Sequence, residues 1–112
     1  MSYSLVGEMT DAVLGRFNIS KGFFGAKGLT LDEGLTDADN FEVQTKRAMV
    51  TACKTVIAVV DSSKWGQVAT ASFADLDEID LLITDAAAPP DLVAAVSERG
   101  TQVQIVGGQA AG

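Results

Sequence analysis

Histidine is absent from this 112-residue chain, cysteine occurs once, proline twice, and 8 Lys+Arg face 15 Asp+Glu for a net charge of −7. Without histidine the chain cannot by itself build a Ser-His-Asp or Cys-His catalytic group, or a His-ligated zinc site. Cys53 alone supports neither an internal disulfide nor a multi-thiolate metal site. A reducing, cytoplasmic setting is therefore expected, with no metal or cofactor. Cys53 lies in an apolar stretch and is expected to be a small core residue. The acidic excess leaves no clustered Lys/Arg to neutralise phosphates, so the chain itself is not expected to touch nucleic acid. No apolar run approaches the ~18 residues of a membrane span, and the first residues, Met1 to Gly7, lack the basic and apolar regions of a signal peptide.

What is present is the composition of a globular domain, 47% hydrophobic and 21% charged. Residues 3–6 are a strand-like apolar run, and Met9, Ala12, Val13 and Phe17 recur at helical spacing. Gly22-Phe23-Phe24-Gly25-Ala26 predicts a short buried strand, followed by a loop punctuated by Gly28 and Gly34. Asp37, Asp39 and Asn40 precede a helical pattern over about residues 38–54, with Phe41, Thr45, Ala48, Met49, Ala52 and Cys53 on one face. Val56-Ile57-Ala58-Val59-Val60 has no alternation, which suits a strand covered on both faces in a parallel sheet.

Further strands are expected at Val68 to Phe73, Leu81 to Ile83 and Thr101 to Val106. Pro89-Pro90 opens a helix that turns Leu92, Val93 and Val96 inward and stops at Gly100. Strands alternating with helices give an α/β class, with a mostly parallel sheet flanked by helices. In such sheets ligands bind beyond the carboxyl ends of the strands. The loop after Phe24, the segment Asp61 to Lys64, and Thr84-Asp85 are then candidate site edges.

The sharpest local feature is Asp61-Ser62-Ser63-Lys64-Trp65-Gly66, directly after the β-branched run. Lys64 is a point charge suited to a phosphate, and the serines and loop N–H groups are potential donors to its oxygens. An ordinary turn capped by Asp61, with Lys64 solvated, fits the same spacing. Glu42 suits the start of the helix as a carboxylate at the positive dipole end, with Lys46 as its i+4 partner; that reading explains it fully, and a role in a ligand site needs the crevice nearby. Gly25, Gly28 and Gly34 allow close backbone approach or simply turns. Trp65 serves either to wall a sugar ring or to pack on the loop.

Five blocks in order resemble one known pattern: Phe23-Phe24-Gly25-Ala26-Lys27-Gly28-Leu29, Gly34-Leu35-Thr36, Glu42 with Lys46-Arg47-Ala48-Met49, Asp61 to Gly66, and Ile83-Thr84-Asp85. Over about residues 4–106 the chain is similar to the C-terminal effector domain of DeoR-family transcriptional regulators. The resemblance implies a Rossmann-like fold shared with type A ribose phosphate isomerases, a sugar-phosphate effector, a homo-oligomer, and a separate N-terminal winged helix-turn-helix that binds DNA. It implies effector binding by Lys64, Asp61, Glu42, Gly25, Gly28 and Thr36. Residues 1–106 are then expected to be a partial effector domain and 107–112 a flexible tail, since the family's Gly-Gly-Thr phosphate loop has no counterpart here. Ser20 replaces an aspartate common before the Phe-Phe-Gly segment.

Laid against the isomerase pattern, the catalytic glutamate falls on Glu42, the two catalytic aspartates on Phe24 and Lys27, and the catalytic lysine on Glu33. Isomerisation needs a base and groups that stabilise an enediolate, and Glu33 would repel that charge. Binding without turnover is the expectation. A divergent sugar-phosphate isomerase, or a related acyl or CoA transferase of the fold, is the alternative, and an oligomerisation domain with a dead site is the third.

Overall fold

The computed structural model describes residues 19–107. The expected strand at 3–6, the helix at 9–17 and the tail beyond Gly107 lie outside the described residues. Among the described residues seven strands and two α-helices follow in order: β1 (Ile19–Phe24), β2 (Gly28–Thr30), β3 (Gly34–Asp37), α1 (Asn40–Ala52), β4 (Cys53–Val59), β5 (Ala71–Ala74), β6 (Leu81–Asp85), α2 (Pro90–Glu98) and β7 (Gln102–Val106). A parallel sheet in the order β1-β4-β6-β7 confirms the α/β expectation. Beside it stands an antiparallel sheet, β2-β3-β5.

That second sheet corrects the sequence expectation of a glycine-punctuated loop between Phe24 and the first helix. Strands of three and four residues are too short to show a period of two, yet they bury Leu29 and Leu35 completely. The chain reverses between them and enters β3 at Gly34, whose φ is +71°, a conformation open to glycine at no steric cost.

Period-two alternation decides which residues fill the core. Phe24 of β1, Val56 and Ala58 of β4, and Leu82 of β6 face one side. There they meet Leu29, Leu35 and Phe73 of the second sheet, Val50 of α1 and Val96 of α2. Burying Phe73 or Leu82 contributes roughly 1.5–3 kcal/mol each. The rings of Phe24 and Phe73 lie 6.4 Å apart at 43°.

The same alternation turns Phe23 outward, where it is 65% exposed, and Val59 with it at 46%. The expected buried strand at Phe23-Phe24 is therefore buried on one side only, and β4 is not covered along its whole second face. Ile57, which also points that way, is buried. Val68 is exposed, because β5 starts at Ala71 and not at Val68.

Both helices start as their sequences dictate. The Asp39 carboxylate accepts from the Phe41 N–H at 2.7 Å and caps α1. Phe41 in that first turn is half-exposed, contrary to the expected face, whereas Ala48 and Val50 are buried and Val43 and Met49 pack on the core. Cys53 opens β4 half-buried, packs against the core as expected, and burial pushes its thiol up. Pro90 takes the first position of α2. After Arg99, Gly100 reverses the chain with φ +102°. Among the described residues no helix is long and apolar enough to cross a membrane.

Candidate functional site

The carboxyl ends of β1, β4 and β6 lie side by side, so the residues that follow them share one edge of the domain. Gly25 follows β1, Asp61 to Lys64 lie just beyond β4, and Asp85 closes β6. Helix α1 runs into β4 with no intervening loop, which brings its first turns, and hence Glu42 and Lys46, to the same edge. Four of the six candidate residues, Gly25, Glu42, Asp61 and Lys64, are thereby brought to one edge.

Ser62–Lys64 forms a single 3-10 turn. Asp61 caps it, accepting from the Ser63 N–H at 2.8 Å and from the Ser63 hydroxyl. These hydrogen bonds hold its carboxyl below the usual range. Asp85 bolts the turn to β6 by accepting from the Ser62 N–H at 2.8 Å, and it also accepts from the Ala87 N–H just beyond the strand at 2.9 Å. Those two bonds lower its carboxyl as well. A second tie to β6 comes from Trp65, which is buried and donates from Nε1 to Thr84 Oγ1 at 3.1 Å. Trp65 therefore packs on the loop and does not wall the edge.

The turn's backbone does not supply the anion donors that the sequence suggested. The N–H groups of Ser62, Ser63, Lys64 and Trp65 are taken by Asp85, Asp61 and the carbonyls of Asp61 and Ser62. What the turn offers is the Lys64 ammonium, 3.3 Å from Ser63 Oγ and 3.6 Å from Asp61 Oδ2, on a side chain one-third exposed. An exposed pair this long is weak, so the lysine keeps its capacity for a dianion.

On the α1 side, Glu42 is half-exposed and stands 3.8 Å from Lys46 Nζ. The stronger partner of Lys46 lies elsewhere. Its ammonium donates to Asp37 Oδ2 at 2.6 Å and to the Gly25 carbonyl at 2.9 Å, and it sits 5.0 Å from the Phe73 ring centre. Asp37, at the end of β3, is 2% exposed. Burial pushes its carboxyl up, but the Lys46 and Ala38 hydrogen bonds with the charges of Lys46 and Lys27 outweigh burial and leave it lowered.

Gly28 and Thr36 belong to the wall behind this edge. Both are buried, and Thr36 Oγ1 accepts from the Ala69 N–H at 2.9 Å. A Cβ on Gly28 would stand 2.6 Å from Thr36 Oγ1 and collide with the Gln67 carbonyl. The close approach at Gly28 is therefore to the chain's own loop. A cavity of about 230 Å³, lined by Leu29, Leu31, Trp65, Leu92, Val96 and Arg99 among others, includes none of the six candidates in its wall.

The sequence marked Thr84-Asp85 as a site edge and Lys46 as the i+4 partner of Glu42, but gave no sign of the Asp37–Lys46 pair, of Asp85 as acceptor for the Ser62 N–H, or of the Trp65–Thr84 bond.

Residues 1–86 match the DeoR C terminal sensor domain family. The HTH-type transcriptional regulator GolR of Listeria innocua is 33% identical over 93% of this chain and 41% of its own length. The glycerol-3-phosphate regulon repressor of Escherichia coli K12 is 30% identical over 90% of the chain and 40% of its own length. For the HTH-type regulator GlpR of Haloferax volcanii the figures are 35%, 89% and 39%. The chain thus spans about two-fifths of the length of these relatives, all named as transcriptional regulators or repressors. The chain belongs to the DeoR C terminal sensor domain family.

Proposed function

We propose that this domain binds a phosphorylated sugar or polyol at the carboxyl edge of its parallel sheet. Occupancy then modulates DNA binding by a separate winged helix-turn-helix of the same protein, in a cytoplasmic homo-oligomer. The observation that carries this reading is Lys64: an ammonium with only weak partners, at the end of a central strand, on a turn held by Asp61, Asp85 and the Trp65–Thr84 bond. A lysine on so fixed a base meets a phosphate with little ordering cost. A relative named for a glycerol-3-phosphate regulon supports the ligand class.

The regulatory step is linkage. An effector that binds one arrangement of the oligomer more tightly shifts DNA affinity by at most that preference, and DNA shifts effector affinity by the same factor in return. A thermal-shift panel of glycerol 3-phosphate, ribose 5-phosphate, fructose 1-phosphate and their unphosphorylated parents tests ligand binding. Saturation at 100 times the dissociation constant stabilises by about 2.7 kcal/mol, and only phosphorylated members are expected to do so. Absence of stabilisation by every phosphorylated member contradicts the proposal. DNA affinity of the whole protein, measured with and without the stabilising compound, tests the coupling.

A further inference from the structure

Lys46 and Lys64 are both at the carboxyl edge, but their electrostatic situations are opposite. Among the described residues Lys64 has a single long ion pair, to an exposed carboxylate. Lys46 is 2.6 Å from a carboxylate that solvent cannot reach, and its side chain is only 21% exposed. The Asp37 charge already balances the Lys46 charge at contact distance. A phosphate dianion gains little from an ammonium so neutralised.

A neutral oxygen is a different matter. An ammonium has three N–H donors. Two of these point at Asp37 and the Gly25 carbonyl. Glu42, at 3.8 Å, is beyond hydrogen-bond distance, so among the described residues the third donor has no partner and is left for a ligand. With Lys46 fixed on the Phe73 ring face, that donor and the acceptor oxygens of Glu42 stand together. One donor beside one carboxylate is the pairing that a hydroxyl, which both accepts and donates, satisfies completely.

We propose that Lys46 and Glu42 recognise the hydroxyl-bearing end of the ligand, while Lys64 takes its phosphate, and that the buried Asp37 is the positioning residue that holds the Lys46 ammonium. This rests on the sugar-phosphate reading above and adds an orientation to it. Selectivity for hydroxyls then resides on α1, and affinity for phosphate resides on the turn after β4.

The test compares the best phosphorylated polyol of the panel with propyl phosphate, a phosphate ester that carries no hydroxyl, by calorimetric titration. Wild type is expected to prefer the polyol at least tenfold. The double variant Asp37→Asn with Lys46→Met removes both charges and so leaves no buried carboxylate unpaired. It is expected to bring the preference to within about twofold of unity while propyl phosphate affinity holds. Glu42→Gln, at a half-exposed position that does not threaten folding, is expected to lower the preference in the same direction. Lys64→Ala is expected to weaken both ligands and keep the preference. A preserved preference in a folded double variant, or in Glu42→Gln if the double variant does not fold, overturns the assignment while the sugar-phosphate reading stands. An equal loss of both ligands in the α1 variants overturns it too, by placing phosphate at Lys46. If wild type binds neither compound, the sugar-phosphate reading itself falls, and this assignment with it.

Discussion

Removing the Lys46 ammonium while leaving Asp37 in place is the most revealing single perturbation of this domain. In Lys46→Met the Asp37 carboxylate, 2% exposed, keeps the Ala38 N–H at 2.8 Å but loses its 2.6 Å partner. Breaking a fully buried ion pair on one side costs about 3–5 kcal/mol. Lys46 is one-fifth exposed, so water reaches the vacated position in part, and about 2–3 kcal/mol is the expected loss at neutral pH. That corresponds to a fall in Tm of roughly 10 °C or more for a domain of this size. Trp65, the chain's single tryptophan and a buried one, reports denaturant unfolding directly.

The pH dependence identifies the cause. In wild type the Asp37 carboxyl is lowered, so its contribution is fully present above the unfolded pKa of about 3.9 and is lost as pH falls through the folded value. In Lys46→Met burial acts with less opposition, the carboxyl rises, and the penalty grows as pH rises through it. The stability gap between the two proteins should therefore narrow steadily from pH 7 to about pH 4. A gap below about 0.5 kcal/mol at pH 7, the ordinary size of a surface substitution, or a gap that does not change with pH, would refute the buried-pair reasoning.

Gly28→Ala should destabilise by about 1–3 kcal/mol through overpacking, because the added methyl meets the Gln67 carbonyl and Thr36 Oγ1; an unchanged denaturation midpoint would show that this wall yields freely. The chain alone, at −7, should give no anisotropy change with duplex DNA at micromolar protein and moderate salt, and a saturable signal would contradict that. Exposure of Phe23 and Val59 on one side of the parallel sheet should make the chain self-associate in sedimentation. Phe23→Ser should shift it toward monomer, and a monomeric wild type would count against this.

Local chemistry made much of the fold legible. Asp39 and the first-turn Glu42 announce α1, Pro90 and Gly100 bracket α2, and the β-branched run at Val56 marks the central strand. The hairpin of β2 and β3 was hidden because Gly28–Thr30 and Gly34–Asp37 are too short for a pattern. Phe23 shows a related difficulty, since an apolar pair in a strand does not say which member faces the core. At the candidate site, Lys64 and Asp61 were visible as neighbours in one segment. Lys46 was visible only as the i+4 partner of Glu42. Its real partners, Asp37 and the Gly25 carbonyl, are 9 and 21 residues away in sequence, and only the meeting of β1, β3 and α1 brings them within reach. The Trp65–Thr84 bond, spanning 19 residues, was out of sight for the same reason.

Calorimetric titration of wild type and Lys64→Ala against the phosphorylated compound that stabilises the protein is the most direct measurement. A charge-assisted contact to phosphate is worth about 1.5–3 kcal/mol, so the variant should bind roughly 10- to 150-fold more weakly. Its folding should change little, because the ammonium makes only a long, exposed ion pair. Unchanged affinity in a folded Lys64→Ala protein would return Asp61 to Gly66 to an ordinary turn and contradict the assignment of the phosphate to the end of β4.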